Sequence, residues 1–261
     1  MTRRFCLPLL CAVLWSGCGD DDSTDSSDDV ADAFVPLDEG APPMACDPVP
    51  PSCVDEQIPQ LDLKETVNAA AVSTEPLDDG LFRTTIDATG GGLTPTESYV
   101  YLRFTDAGLE PVAVSDQDAF ESTEWDLAAR RFVIRLNSGV AGPSCVTGAR
   151  TAGGTELETL TVEPDGLTHR TEAYFQPDCS FVSDGSGIGS PATALSSFWS
   201  YTSCVQMTGN VYVLTLADGR KVKLEVETYY TPENQEACDT TGSVPSPSGS
   251  GNLQLLWGWL D

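Results

Sequence analysis

Polar and apolar residues alternate with a period of two over much of the chain, and such alternation puts one set of side chains on each face of a sheet. The clearest case is Val211 to Ala217 and Lys221 to Tyr230, two runs joined at Asp218-Gly219. An Asp-Gly pair between alternating runs predicts a hairpin, because such turns need a positive φ that glycine adopts freely. In the second arm Val222, Leu224 and Val226 are expected to face the core, and Lys221, Lys223, Glu225 and Glu227 to face water. Tyr99 to Phe104 alternates in the same way. The stretch from Ser122 to Gly142 opens with Trp125 and Asp126 and runs through the paired Arg130 and Arg131. It predicts a strand in which Phe132, Ile134 and Leu136 share a face, stopping at Asn137-Ser138-Gly139. Here Asp126 is expected to ion-pair with Arg130 or Arg131 while Trp125 anchors the sheet corner. Leu157 to Val162 and Thr168 to Phe175 flank Pro164-Asp165-Gly166, a second hairpin signal. Leu253 to Leu260 is a closing apolar strand carrying Trp257 and Trp259, and helical periodicity is confined to Asn68 to Val72. The pattern predicts an all-β protein, mostly antiparallel, in a two-layer or irregular sheet domain with few short helices.

Composition narrows the function. The 261 residues carry a formal net charge of -27, which opposes nucleic acid and anionic lipid, since both need a basic face. There is one histidine, His169, so no multi-histidine zinc site can form. Arg3 and Arg4 precede a short apolar run from Phe5 to Trp15, too short to span a bilayer, which fits an export leader. Leu14-Trp15-Ser16-Gly17-Cys18 resembles a bacterial lipobox, so residues 1–18 are expected to be a lipoprotein signal peptide with Cys18 lipidated. Gly19 after it resembles the pattern of lipoproteins moved to the outer membrane. Residues 19–60 are acidic and rich in Pro, Ser and Ala, a composition expected to form a disordered tether, with residues 61–261 as the β domain. Outside the leader stand Cys46, Cys53, Cys145, Cys179, Cys204 and Cys238, an even set that suits disulfides in an exported chain. The working pairing is Cys46–Cys53, Cys145–Cys179 and Cys204–Cys238, one of the fifteen that six cysteines allow.

Three runs carry a family resemblance. Trp125-Asp126-Leu127-Ala128 with Arg131 and Asn137-x-Gly139 looks like the signature of the HmuY family. Val211 to Thr215, Asp218-Gly219, Lys223-Leu224 and Tyr229-Tyr230 resemble that family's second half in order and spacing, and the Leu- and Trp-rich closing strand fits too. The resemblance covers roughly residues 61–260. It implies a hand-shaped all-β domain on an exported lipoprotein, anchored in the outer membrane only through its lipid. Such a protein grips haem b between two axial ligands and passes it to an outer-membrane receptor. Carried over, His169 after Pro164-Asp165-Gly166 stands near the family's first ligand histidine. The segment holding the second has no histidine here; Met207 or Cys204 could stand in for it, since haem iron also accepts methionine and cysteine, and with Cys204 expected in a disulfide Met207 is the candidate for the other axial ligand. Trp199 and Tyr201 are the candidate pocket wall.

Two other readings stand beside this one. The missing second histidine favours a surface lipoprotein of the same fold that binds no haem and recognises a protein or a glycan. An enzyme is not expected, because the sequence offers no activated nucleophile and no metal-ligand cluster, and Gly90-Gly91-Gly92 lacks the Gly-Lys pair of a phosphate loop.

Overall fold

A computed structural model describes residues 46–92 and 94–261. The leader, Cys18 and the acidic stretch up to residue 45 lie outside the described residues. Twelve strands and two helices follow in the order α1 Val54–Gln60, β1 Val72–Pro76, β2 Leu81–Asp87, β3 Val100–Thr105, β4 Gly108–Val112, β5 Leu127–Arg130, β6 Val133–Leu136, β7 Thr147–Arg150, β8 Trp199–Tyr201, β9 Val205–Met207, β10 Val211–Thr215, β11 Lys221–Thr228, α2 Pro232–Thr241 and β12 Asn252–Leu260. Every strand pair is antiparallel. A six-stranded sheet runs β1-β2-β12-β11-β10-β7, a four-stranded sheet β4-β3-β5-β6, and β8-β9 is a separate hairpin. The all-β expectation holds.

The main core is the seam between the two larger sheets. Leu214, Val222, Leu224, Leu255 and Trp257 from the six-stranded sheet belong to the same buried cluster as Val100, Leu102, Leu127, Ile134 and Leu136 from the four-stranded one. The Asp218-Gly219 hairpin forms as the alternation predicts, with Val211 opposite Glu225 and Thr215 opposite Lys221. Its far face is drier than expected. Lys223 is buried, and its Nζ donates to the Leu160 carbonyl at 2.7 Å, because residues 157–160 lie across that face.

The four-stranded sheet is covered on its other face as well. Trp125, Tyr101 and Ala128 there pack against Leu61, Leu63, Val140 and Tyr174, with Val54 and Ile58 of α1 on the outside. This explains why all four residues of β5 are buried. The expected start of the domain at Leu61 therefore falls inside the folded part. Residues 46–60 are bound to it by two disulfides, Cys46–Cys145 and Cys53–Cys179. Those two bridges replace the expected Cys46–Cys53 and Cys145–Cys179 pairings, while Cys204–Cys238 forms as expected. Spacing along the chain says nothing about which segments a sheet brings together, and the cap over Trp125 is what brings these four cysteines into two pairs.

The Ser122 to Gly142 stretch is a packing joint. Trp125 is fully buried and its Nε1 donates to the Ala119 carbonyl at 3.2 Å. Asn137 Nδ2 donates to the carbonyls of Ser122 and Trp125, and its Oδ1 accepts from Ser144 N. Gly139 has φ 57°, and a Cβ there would collide with the Glu172 carbonyl, so only glycine meets both demands. The ion pair expected for Asp126 is absent among the described residues. Its Oδ2 accepts from Phe104 N at 2.8 Å instead, while Arg130 turns to Asp116. The Pro164-Asp165-Gly166 turn exists, with Gly166 at φ 78°, but its flanks are not paired strands. Leu157–Thr159 is a 3-10 turn, and Arg170 bridges to Gly148 of β7. Asn68 to Val72 is not helical; Val72 begins β1. No helix among the described residues is long and apolar enough to cross a membrane.

Two buried carboxyls set a pH dependence. Burial pushes Glu172 up to about 7, against the backbone N–H groups of Leu136 and Ala194 that its oxygens accept from. Burial likewise pushes Asp126 up to about 6, with the Phe104 N–H opposing. Both values lie above those of an unfolded chain, so the folded state holds the extra protons. Their stabilising contribution is whole below the unfolded values, near pH 4, and is lost as pH rises from there to about 6 for Asp126 and about 7 for Glu172. For Glu172 alone the loss between pH 5 and pH 8 is on the order of 2 kcal/mol. Thermal melts should therefore show a higher Tm at pH 5 than at pH 8, and a flat profile would contradict these assignments.

Candidate functional site

A cavity of about 890 Å³ opens at one end of the sheet seam. That volume lies within the 300–1,000 Å³ typical of small-molecule sites. Several separate pieces of chain build it. The β5–β6 turn supplies Arg130, Arg131 and Phe132; the β8–β9 hairpin supplies Tyr201, Ser203 and Val205. The end of β11 leads into Tyr229 and Tyr230, and the loop after α2 brings Ser243, Ser248 and Ser250. A glycine-rich loop of positive-φ residues, Gly185, Gly187 and Gly189, presents Ile188 at the rim.

The walls are fixed from behind. Helix α2 starts at Pro232 and stops at Gly242 (φ 70°), a proline-in, glycine-out arrangement. Gln235 on that helix is buried. Its Oε1 accepts from the backbone N–H groups of Tyr229 and Tyr230, and its Nε2 donates to the Val205 carbonyl. Tyr230 Oη accepts from Val205 N at 3.1 Å, and Cys204–Cys238 ties the hairpin to the helix. One glutamine and one disulfide thus hold two cavity walls in register.

On the opposite wall the two arginines of the β5–β6 turn have separate employment. Arg130 is consumed internally: its guanidinium donates to the carbonyls of Leu61, Asp62 and Glu97 and reaches Asp116 Oδ2 at 3.5 Å. It lies 4.2 Å from the Tyr99 ring centroid, and Arg135 lies 3.9 Å from the same ring. Asp116, fully buried, also accepts from Tyr99 N, Tyr101 Oη and Lys64 N. Arg131 sits at the turn with φ 54° and is half-buried. Its guanidinium is 5.7 Å from the Phe132 ring and 5.9 Å from the Tyr229 ring, and it forms no ion pair among the described residues. By contrast Arg83, Arg103 and Arg220 all pair with carboxylates. Burial pushes the Tyr229 hydroxyl up to about 12, with Arg131 pulling the other way.

The residues expected from sequence fall unevenly around this cavity. Tyr201 is in its wall and 50 % exposed. Trp199 is buried behind the wall, 5.1 Å from Phe132. His169 does not line it. Its Nε2 is 2.8 Å from Glu163 Oε1 and its Nδ1 is 3.0 Å from Thr147 Oγ1. A carboxylate can only accept, which assigns a proton to Nε2, while Nδ1 is engaged with the Thr147 hydroxyl. Met207, in β9, lies opposite Trp199 and packs on the main core rather than lining the cavity. The structure therefore does not bring His169 and Met207 to one point in the cavity. Sequence reasoning passed over Phe132, Ile188 and the serine-bearing loop. The signal for Ile188 was a lone apolar residue inside Gly-Ser-Gly-Ile-Gly-Ser, where nothing local needs it. Among the described residues the one grouping of metal-ligating types is Cys53, Glu56 and Cys179, and its two sulfurs are bonded to each other.

Fold and cavity together define an antiparallel β protein with a ligand-sized aromatic site at one end. The HmuY protein family model matches residues 95–241, more than half the chain, and the chain belongs to that family. No curated protein matches the sequence. Among solved structures, a Bacteroides fragilis protein described as a lipoprotein aligns at 13% identity and TM-score 0.45, over 70% of this chain and 91% of its own. A Bacteroides vulgatus protein described as an HmuY-like heme binding protein aligns at 16% identity and TM-score 0.45, over 72% and 97%. The apo HmuY analog of Tannerella forsythia aligns at 14% identity and TM-score 0.40, over 75% and 98%.

Proposed function

We propose that this protein is a non-enzymatic binder of haem or a related tetrapyrrole, serving haem and iron acquisition, and that the cavity beside the β5–β6 turn is where it holds its cargo. The observation that carries the reading is the cavity's make-up in a member of the HmuY family: a ligand-sized space with Phe132, Tyr229 and Tyr230 on its walls and Tyr201 and Ile188 exposed at its mouth. Exposed large apolar side chains around a concave site are what a flat hydrophobic ligand covers. Export suits the three disulfides, which persist in oxidising compartments. The leader and lipobox-like segment favour attachment to the outer membrane through a lipid on Cys18. An outer-membrane receptor is the partner this role requires.

His169 and Met207 enter this reading as alternative iron ligands that would need rearrangement: Nδ1 of His169 has to leave Thr147 before it can bind a metal. The test is a haemin titration of the oxidised protein followed in the Soret region, repeated with His169→Ala. Saturable one-to-one binding at micromolar protein is expected, with the variant's affinity within about threefold of the parent, a difference under 1 kcal/mol. A flat titration overturns the tetrapyrrole reading. Loss of binding in His169→Ala would return the site to the histidine.

A further inference from the structure

Resting on the tetrapyrrole reading, we propose that the cavity recognises the macrocycle and its carboxylate rather than the metal. Iron-free protoporphyrin is then cargo as good as haem, with Arg131 as the carboxylate anchor.

The donor set argues against a metal-centred site. Among the described lining residues there is no histidine, methionine or free thiol, since Cys204 is spent on Cys238. Phenolates are the remaining ligand type for haem iron. Tyr99 lies under two guanidinium groups, and Tyr230 already accepts the Val205 N–H. Tyr229 is held neutral by burial. Only Tyr201 on the rim could offer an oxygen freely, and half of it is in solvent.

What the cavity does offer is a cation and flat apolar faces. A carboxylated ligand approaches a chain of net charge -27, so a local positive group must offset the general repulsion. Arg131 is that group. It is held at the mouth between the Phe132 and Tyr229 rings, and it stands on a positive-φ turn residue with no carboxylate partner among the described residues. A guanidinium binds a carboxylate with two parallel N–H···O bonds, which also fixes orientation. Ser248 and Ser250 add neutral donors nearby. Phe132, half-buried, and Tyr201, exposed at the rim, supply aromatic surface for stacking, which is indifferent to what the ring chelates.

The experiment compares three probes in the same dilute non-ionic detergent: haemin, protoporphyrin IX and protoporphyrin IX dimethyl ester, each followed by quenching of tryptophan fluorescence. Haemin and protoporphyrin IX should bind within about threefold of each other, and the ester at least about tenfold more weakly, the loss of one charge-assisted contact. Arg131→Gly tolerates the positive φ without strain, so the fold is retained. It should weaken both acids by about tenfold and leave the ester unchanged, while Arg131→Lys restores part of the loss. Tyr201→Phe keeps the ring and removes only the one free phenol oxygen, so haemin and protoporphyrin IX should remain within about threefold of each other in that variant. If haemin binds about thirtyfold or more tightly than protoporphyrin, or Tyr201→Phe abolishes haemin binding, iron ligation carries the affinity and this inference falls while the tetrapyrrole reading stands. Equal binding of the ester overturns the role of Arg131. If none of the three binds, the tetrapyrrole reading fails, and this inference with it.

Discussion

Asp116→Ala is expected to cost about 3–5 kcal/mol of stability, the loss seen when one partner of a buried charge cluster is removed. Asp116 is fully buried between Arg130, at 3.5 Å, and Arg135, at 3.9 Å. Its oxygens also accept from the backbone N–H groups of Tyr99 and Lys64 and from the Tyr101 hydroxyl. Deleting the carboxylate leaves two guanidinium groups without their counter-charge in a low-dielectric interior, and Arg135 Nε and Nη1 already lack partners. Asp116→Asn keeps an acceptor and loses only the charge, so it should fall between the two. Urea unfolding with a shared m-value measures both. A loss under about 1 kcal/mol for the alanine variant would mean that the arginines find other partners, and the cluster would not be what fixes the β5–β6 turn.

Replacing Cys53 and Cys179 together by alanine is the second large effect, and its size depends on the neighbouring bridge. Taken alone, Cys53–Cys179 closes a separation of 126 residues. With Cys46–Cys145 intact, the shortest path runs from Cys53 back to Cys46, across that bridge, and on from Cys145 to Cys179. That path is roughly 40 residues, for which the chain-entropy model gives about 4 kcal/mol. Removing both bridges should cost clearly more than either alone, because the first then closes a separation of 99 residues. The consequence reaches the cavity, since Gln60 and Leu61 of the tethered cap are in its wall and Leu61 accepts from Arg130. Chemical denaturation under oxidising conditions gives the numbers. Equal stability of parent and single-bridge variant would show that the cap is held by packing alone.

Much of the sheet could be read from the chain because its signals were local. Asp218-Gly219 between alternating arms gave the β10–β11 hairpin, and the Leu- and Trp-rich end gave β12. The Pro164-Asp165-Gly166 signal was equally local, yet its flanks are claimed by distant partners: Leu157 by Leu81, Val211 and Leu256, and Arg170 by Gly148. Two of the three expected disulfides failed for the same reason, as their pairing is set by which loops cap Trp125. Helix α2 was overlooked although Thr231-Pro232 and Gly242 mark its ends, because only Gln235 and Cys238 of its residues are buried and it shows no apolar stripe. At the site, Tyr201 was found and Arg131 was noticed for the wrong partner. The cavity itself assembles from many segments far apart in sequence, and no spacing reveals that.

The claim on which the functional account turns is that this cavity, and no other surface, holds the macrocycle. A haemin titration of the parent and of Ser250→Trp, in which an indole fills the space beside Tyr229 and Arg131, tests it most directly. The account predicts saturable one-to-one binding to the parent and a loss of at least about tenfold in the filled variant, with the melting temperature unchanged. Unaltered haemin binding to a folded Ser250→Trp protein would contradict it.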